Sequence, residues 1–80
     1  MMQVHQTNVN LEYDREFDYL YIFVGEPSAA ETEAIAEGVY IRRSPIDERI
    51  VGAIIEDYSK KSKDLIIQLL PFKISEEILP

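Results

Sequence analysis

Cysteine is absent from this chain, and histidine occurs once, as His5, in 80 residues. Without thiols the protein has no disulfide, no thiolate metal site and no cysteine nucleophile. His5 lies in an amino-terminal segment that we expect to fray, where no rigid scaffold would orient an imidazole beside a nucleophile. These absences argue against serine–histidine catalysis and against a metal site built from histidine or cysteine.

Glycine and long apolar runs are also scarce. The three glycines are scattered, so they form no loop that could cradle a phosphate. The longest apolar cluster, Leu65–Leu70, is far too short to span a bilayer. The first seven residues have neither the basic start nor the apolar stretch of a secretory signal. The sequence therefore predicts a cytoplasmic protein with no membrane span and no cofactor.

Positive charge is the third scarcity. Eight Lys and Arg stand against 15 Asp and Glu, for a formal net charge of −7. The clustered cations are Arg42 and Arg43 in one group and Lys60, Lys61 and Lys63 in another, and both groups are short. This balance repels nucleic-acid phosphates and favours a basic protein partner.

The chain is rich in short apolar runs typical of strands. Its length and its hydrophobic content of 46% fit a single folded domain over residues 1–80. Val9, Leu11 and Tyr13 alternate with polar residues, which predicts a first strand over residues 7–13 with one buried face.

The predicted second strand, Tyr19–Val24, is apolar on both sides. Leu20, Ile22 and Val24 point to one face, and Tyr19, Tyr21 and Phe23 point to the other. One short helix can cover only one of these faces, so we expect the other to meet a partner. The pattern leaves open which face the helix covers.

Turn residues divide the remainder of the chain. Segment 29–36 is ambiguous, because alanine and glutamate favour a helix while its position between strands favours a strand over Glu31–Ile35. Gly38 is expected in a turn, and Gly52 at a bulge or beneath a neighbouring ring. Further predicted elements are strands over Val39–Arg43 and Ile50–Glu56, a helix over about Ser59–Leu70 capped by Asp57 or Ser59, and a tail over residues 72–80. The predicted fold class is α+β: a small antiparallel β-meander of four to five strands with a carboxyl-terminal helix packed on one face.

Three of these runs carry a family resemblance. They are Tyr13-Asp14 followed by Asp18-Tyr19-Leu20-Tyr21-Ile22, then Glu37-Gly38-Val39, then Val51-Gly52-Ala53-Ile54-Ile55. In this order they resemble the small bacterial family catalogued as domain of unknown function 2283, over residues 11–61. The chain departs from that pattern at Ser44-Pro45-Ile46 and in its longer apolar tail. The resemblance implies a fold, a small antiparallel sheet with a helix behind it, and points to no particular activity.

Acidic residues between the first two strands form the first candidate site. Asp14, Glu16 and Asp18 could gather a hard cation through carboxylate oxygens, or act as a general acid and base. The glycine and the distal glutamate of a calcium loop are missing, and Asp14 can instead bond a backbone amide two residues on. We therefore interpret Asp14 and Asp18 mainly as turn residues.

The second candidate site is an interface. Tyr19, Tyr21, Phe23 and Tyr40 could form an aromatic surface of the kind enriched in subunit contacts. The same face could stack nucleic-acid bases, but such grooves are electropositive. The tail around Ile78 and Leu79 could extend the contact onto a neighbour, and a homodimer is the expected oligomer.

Two function classes follow from these patterns. The first is a small acidic, non-catalytic protein-interaction module, with an antitoxin-like partner for a small basic toxin as its sharper form. The alternative is a small carboxylate- or metal-dependent hydrolase that uses Asp14, Asp18 and either Glu56 or Asp57. A gene for a basic protein beside this one would favour the first, and bound divalent metal would favour the second.

Overall fold

The protein folds as a five-stranded antiparallel sheet with helical segments following the last strand. The computed structural model describes residues 9–26 and 28–80. This architecture confirms the predicted α+β class. The elements are β1 (Val9–Asp14), β2 (Tyr19–Val24), β3 (Glu31–Ala36), β4 (Val39–Arg43), β5 (Ile50–Ile55), a 3₁₀ turn (Tyr58–Lys60), α1 (Lys63–Leu69) and a second 3₁₀ turn (Glu76–Ile78).

The strands lie in the order β1-β2-β5-β4-β3, and every neighbouring pair is antiparallel. β1 and β2 form a hairpin, β3 to β5 form a meander, and β2 pairs with β5 to join them. The chain therefore passes from β2 to β3 at the far edge of the sheet, and β5 lies at the centre, between β2 and β4.

The helical side of the sheet holds the core. Leu20 and Ile22 of β2 are fully buried, together with Ala53 and Ile55 of β5. They pack in one cluster with Ile66 of α1 and with residues of the following segment. The helix thus covers the aliphatic face of β2, which settles the choice that the sequence left open.

The helix is shorter than predicted and begins later. Asp57 takes a left-handed conformation (φ 51°), and the chain is again extended at Lys61, so the predicted run from Ser59 is broken. Ser62 caps α1, since its side chain accepts a hydrogen bond from the Leu65 amide at 3.0 Å. The predicted caps Asp57 and Ser59 were therefore wrong for this helix.

The tail returns to its own core. Ile74 and Leu79 are buried in the main apolar cluster, and Leu79 is 4% exposed. The Tyr58 hydroxyl donates to the Pro80 carbonyl at 2.6 Å, which fixes the tail beside the first 3₁₀ turn. Leu79 thus stabilises its own chain, contrary to the expectation that it reaches a neighbour, whereas Ile78 is 47% exposed.

Two irregularities bend the meander. Between β3 and β4 the register shifts at Ile35, and between β4 and β5 it shifts at Val51. The second shift lies directly beside Gly52, where the sequence predicted a bulge. Gly52 is also a site of close approach, but to backbone and not to a ring, because a Cβ there would lie 2.5 Å from the backbone carbonyl oxygen of Ile22.

Some predictions concern residues outside the described ranges. The predicted first strand began at residue 7, and residues 7 and 8 lie outside them, as does His5. Within the described part of the chain, no helix is long and apolar enough to cross a membrane.

Candidate functional site

The face of the sheet opposite α1 carries the predicted aromatic residues. Because side chains alternate along a strand, the burial of Leu20 and Ile22 turns Tyr19, Tyr21 and Phe23 to the other side. Burial of Val39 and Ile41 does the same for Tyr40 and Arg42. All of these, with Ile54 of β5, are half-buried. We call the surface formed by Tyr19, Tyr21, Phe23, Tyr40, Arg42 and Ile54 the aromatic face.

Strand pairing arranges the aromatic face in rows. One row crosses the whole sheet through directly paired residues, in the order Glu12, Tyr21, Ile54, Tyr40 and Ala34. A parallel row contains Asn10, Phe23, Gly52, Arg42 and Thr32. Gly52 has no side chain, yet it is buried, and the Arg42 Cδ atom lies 3.7 Å from the position that a Cβ of Gly52 would take.

Aromatic contacts continue past the end of β2. The Tyr19 and Tyr21 ring centroids are 6.2 Å apart, and those of Phe17 and Tyr19 are 6.4 Å apart in an edge-on arrangement. Phe17 lies in the hairpin turn and is 64% exposed. Ring separations of this size fall within the range of favourable aromatic pairs, so the rings form a continuous apolar surface.

Glu56 places a carboxylate at one end of this face. The Tyr19 hydroxyl donates to Glu56 Oε2 at 3.5 Å. The negative charge of Glu56 raises the pKa of Tyr19 and also that of Tyr40. The sequence offered Glu56 only as a hydrolase residue, but the structure places it among tyrosine hydroxyls that stay protonated at neutral pH.

Asp18 joins the β1–β2 turn to the chain after β5. Its carboxylate accepts hydrogen bonds from the Tyr13 hydroxyl at 2.5 Å and from the Ser59 hydroxyl at 2.7 Å. The Ser59 amide also donates to it at 3.0 Å, and the Tyr58 amide donates to the Asp18 carbonyl at 3.0 Å. The hydrogen bond from Tyr13, followed by that from Ser59, lowers the pKa of Asp18. No local pattern indicates this link, because Asp18 and Ser59 are 41 positions apart.

Asp14 holds the start of the same turn. Its Oδ1 atom accepts from the Glu16 amide at 3.0 Å and from the Phe17 amide at 3.3 Å. The bond two residues on is the one that the sequence predicts. Both candidate carboxylates therefore bind donors of their own chain, and the described residues contain no group of three Asp, Glu, His or Cys that could hold a metal ion.

Two concavities lie on the helical side. An open groove of about 640 Å³ lies between α1 and the tail, where Ile67, Phe72 and Lys73 contribute to its wall. A smaller recess of about 320 Å³ lies beside Tyr13, Tyr58 and Lys63. Neither contains the aromatic face.

The structure therefore brings Tyr19, Tyr21, Phe23 and Tyr40 together and leaves Ile78 and Leu79 elsewhere. Sequence reasoning missed Ile54, whose alternation with the buried Ala53 and Ile55 could have indicated it. In comparisons with known proteins, no family model, no curated protein and no solved structure matches the chain.

Proposed function

We propose that this protein is a non-catalytic protein-interaction domain and that the aromatic face is its contact surface. One observation carries the proposal. Within residues 9–26 and 28–80, α1 and the tail pack on the aliphatic side of the sheet, and no helix or strand covers the aromatic side. An antiparallel sheet with a solvent-facing side usually carries polar residues there, not a band of tyrosine and phenylalanine.

The composition of the face supports a protein partner. Tyrosine, phenylalanine and arginine are enriched in interface centres, where their burial provides much of the binding free energy. Tyrosine suits this role because it adds a large apolar area and keeps a polar hydroxyl for the rim. Half-buried rings leave area that only a second surface can remove from water.

Electrostatics favours protein over nucleic acid. The chain carries a net charge of −7, and the aromatic face itself ends in the Glu56 carboxylate. Phosphate groups would be repelled by both negative charges, and Arg42 is the one cation among the six residues of the aromatic face. The net negative charge would also attract a small basic protein towards this domain. An antitoxin-like role, with a small basic toxin as the partner, is therefore the alternative form of the proposal.

The hydrolase alternative finds less support. Asp14 and Asp18 accept several donors from their own turn and from Ser59, which is what structural carboxylates do. A general base must instead be free to reach a substrate proton.

Position-specific photo-crosslinking in cells tests the proposal. A photoreactive phenylalanine derivative replaces Tyr21 in the full chain, and a matched control carries it in place of the exposed Asp64 of α1, on the other side of the domain. We expect a protein adduct from position 21 that is absent from position 64 and disappears with Phe23→Glu. Equal labelling from both positions, or no adduct from position 21, would refute the assignment.

We also propose membership of the family catalogued as domain of unknown function 2283. The residues that carry the resemblance form the β1–β2 hairpin, the turn into β4 and the central strand β5. The order of these parts supports the proposal, and it adds a fold but no activity.

A further inference from the structure

The aromatic face carries opposite charges at its two ends. Arg42 lies two residues after Tyr40 on β4, and Glu56 lies two residues after Ile54, just past the end of β5. Because β4 and β5 are antiparallel, these two residues lie in opposite directions from the Tyr40–Ile54 pair. Tyr40 and Ile54 are directly paired, so the two charges flank the row through Tyr21, Ile54 and Tyr40. Each is displaced from that row by about 7 Å, the rise of two strand residues. A second copy of the same face, turned end for end, therefore presents a negative charge where the first copy presents a positive one.

On the basis of the proposed protein-binding function, we infer that the occupant of the aromatic face is a second copy of this chain, related by a two-fold axis along the row through Tyr21, Ile54 and Tyr40. Rotation about that axis exchanges the two ends of the face and keeps the strand order. Arg42 of each copy then lies near Glu56 of the other, and the contact contains two symmetric ion pairs. Tyr19 of each copy lies over the row of the other copy that contains Phe23 and Gly52.

Other two-fold arrangements fit less well. An axis along β5 would place the half-buried Glu56 against its own image at the centre of the contact, and like charges in a contact oppose association. Arg42 would then meet the Phe23 side of the sheet, away from a carboxylate. The inferred axis brings Glu12 to its own image instead, but Glu12 is exposed on the edge strand β1, at the rim of the contact, where charges contribute little. Lys61 also reaches the end of the face near Glu56, but its ammonium group donates to the Glu56 backbone carbonyl. The Glu56 carboxylate remains the acceptor that faces the second copy.

Arg42 is available for such a pair. Its neighbour Arg43 binds Glu33 at 3.0 Å, whereas no ion pair joins Arg42 to a carboxylate within the described ranges. Arg42 is half-buried beside the position of Gly52, so its stem is partly ordered. A partly ordered cation loses less side-chain entropy when it pairs across an interface.

The outer side of the whole sheet, with the aromatic face at its centre and β1 and β3 at its rim, is just large enough for a dimer contact. Five strands about 4.8 Å apart and about 20 Å long give a face of roughly 480 Å² in projection. Two such faces bring together about 1,000 Å², which is the lower bound for a specific interface. Aligned packing of two twisted sheets about 10 Å apart accommodates this geometry.

Charge reversal tests the inference on the full chain, with mass measured by sedimentation equilibrium at micromolar concentration. We expect a dimer for the wild type, and Arg42→Glu and Glu56→Arg each to raise the dimer Kd at least about tenfold. The double variant, Arg42→Glu with Glu56→Arg, should return the Kd to near the wild-type value. Arg43→Glu is the matched control, since this residue pairs with Glu33 and not with the aromatic face. Circular dichroism checks that each variant is folded.

Each outcome decides a point. A monomeric wild type overturns the inference. Single variants that dimerise with the wild-type Kd overturn it too, as does a folded double variant whose Kd does not return towards the wild-type value. A monomer whose position 21 crosslinks to a different protein leaves the protein-binding function standing and removes only the second copy. Loss of both the dimer and the specific crosslink removes both.

Discussion

Gly52→Ala is the substitution with the clearest expected effect on the fold. Gly52 lies on the central strand β5, paired with Phe23 on one side and Arg42 on the other. A Cβ at this position would lie 2.5 Å from the Ile22 carbonyl oxygen. This oxygen belongs to the backbone of the neighbouring strand β2, so no side-chain rotation can relieve the contact.

Two opposing effects set the magnitude. Alanine restricts the unfolded chain more than glycine does, and this alone would stabilise the protein by about 0.4–1 kcal/mol. Overpacking that forces backbone shifts costs about 1–3 kcal/mol. We expect the second effect to win by about 1–2 kcal/mol, because β2 and β5 must separate locally at the centre of the sheet. For a domain of this size, that corresponds to a fall in Tm of about 4–16 °C.

Thermal unfolding followed by circular dichroism measures the effect, with urea titration to obtain the free energy of unfolding. Gly25→Asn is the control, since Gly25 has a φ of +75° and no atom within 4 Å of its added Cβ. Asparagine tolerates that left-handed conformation, so a small change is expected. A Tm for Gly52→Ala that equals or exceeds the wild-type value would show that the close approach does not constrain the sheet.

Other substitutions test the turn, the helix start and the absence of metal binding. The stability that Asp18 contributes is complete above its unfolded pKa of 3.8 and is lost as pH falls through its lower folded pKa. The difference in Tm between wild type and Asp18→Asn should therefore narrow below about pH 4. A Tm difference that does not change with pH, or an equal Tm difference for Glu16→Gln, would contradict the hydrogen-bonded role of Asp18. Asp14→Ala should lower the free energy of unfolding by about 1 kcal/mol, because two backbone amides lose their acceptor, and an unchanged urea midpoint would count against it. Ser62→Ala should cost about 1 kcal/mol through loss of the helix cap, with Ser62→Asn retaining stability; equal losses in both variants would argue against capping. Titration with magnesium, calcium or manganese should give no saturable rise in Tm, and a rise that Asp14→Asn abolishes would restore the metal-site hypothesis.

The sequence predicted the sheet well because its signals are local. Alternation in β1, the two-sided apolarity of β2 and the β-branched residues of β5 each act within a few positions. Composition was a poorer guide at β3, where alanine and glutamate favour a helix. There, pairing with β4 and the Glu33–Arg43 contact decide in favour of a strand.

The start of the helix could not be read from local signals. Asp57, Ser59 and Ser62 are all suitable caps, and the sequence does not rank them. The choice is made by distant contacts: the Tyr58 amide and the Ser59 side chain bind Asp18, which holds residues 57–60 in a separate turn. Only then does the chain begin α1 at Lys63.

The same distant contacts determine which face of the sheet is left for a partner. Tyr58 is buried in the core cluster with Ile66 and Leu70, so the turn held by Asp18 directs α1 to the aliphatic side of β2. These contacts lie on the core side and at one end of the sheet, and none of them involves Tyr21 or Arg42. Substitutions on the aromatic face should therefore change association while the fold is kept. Because folding and binding use different residues of the same strand, a loss of dimer in Arg42→Glu can be interpreted as a loss of contact.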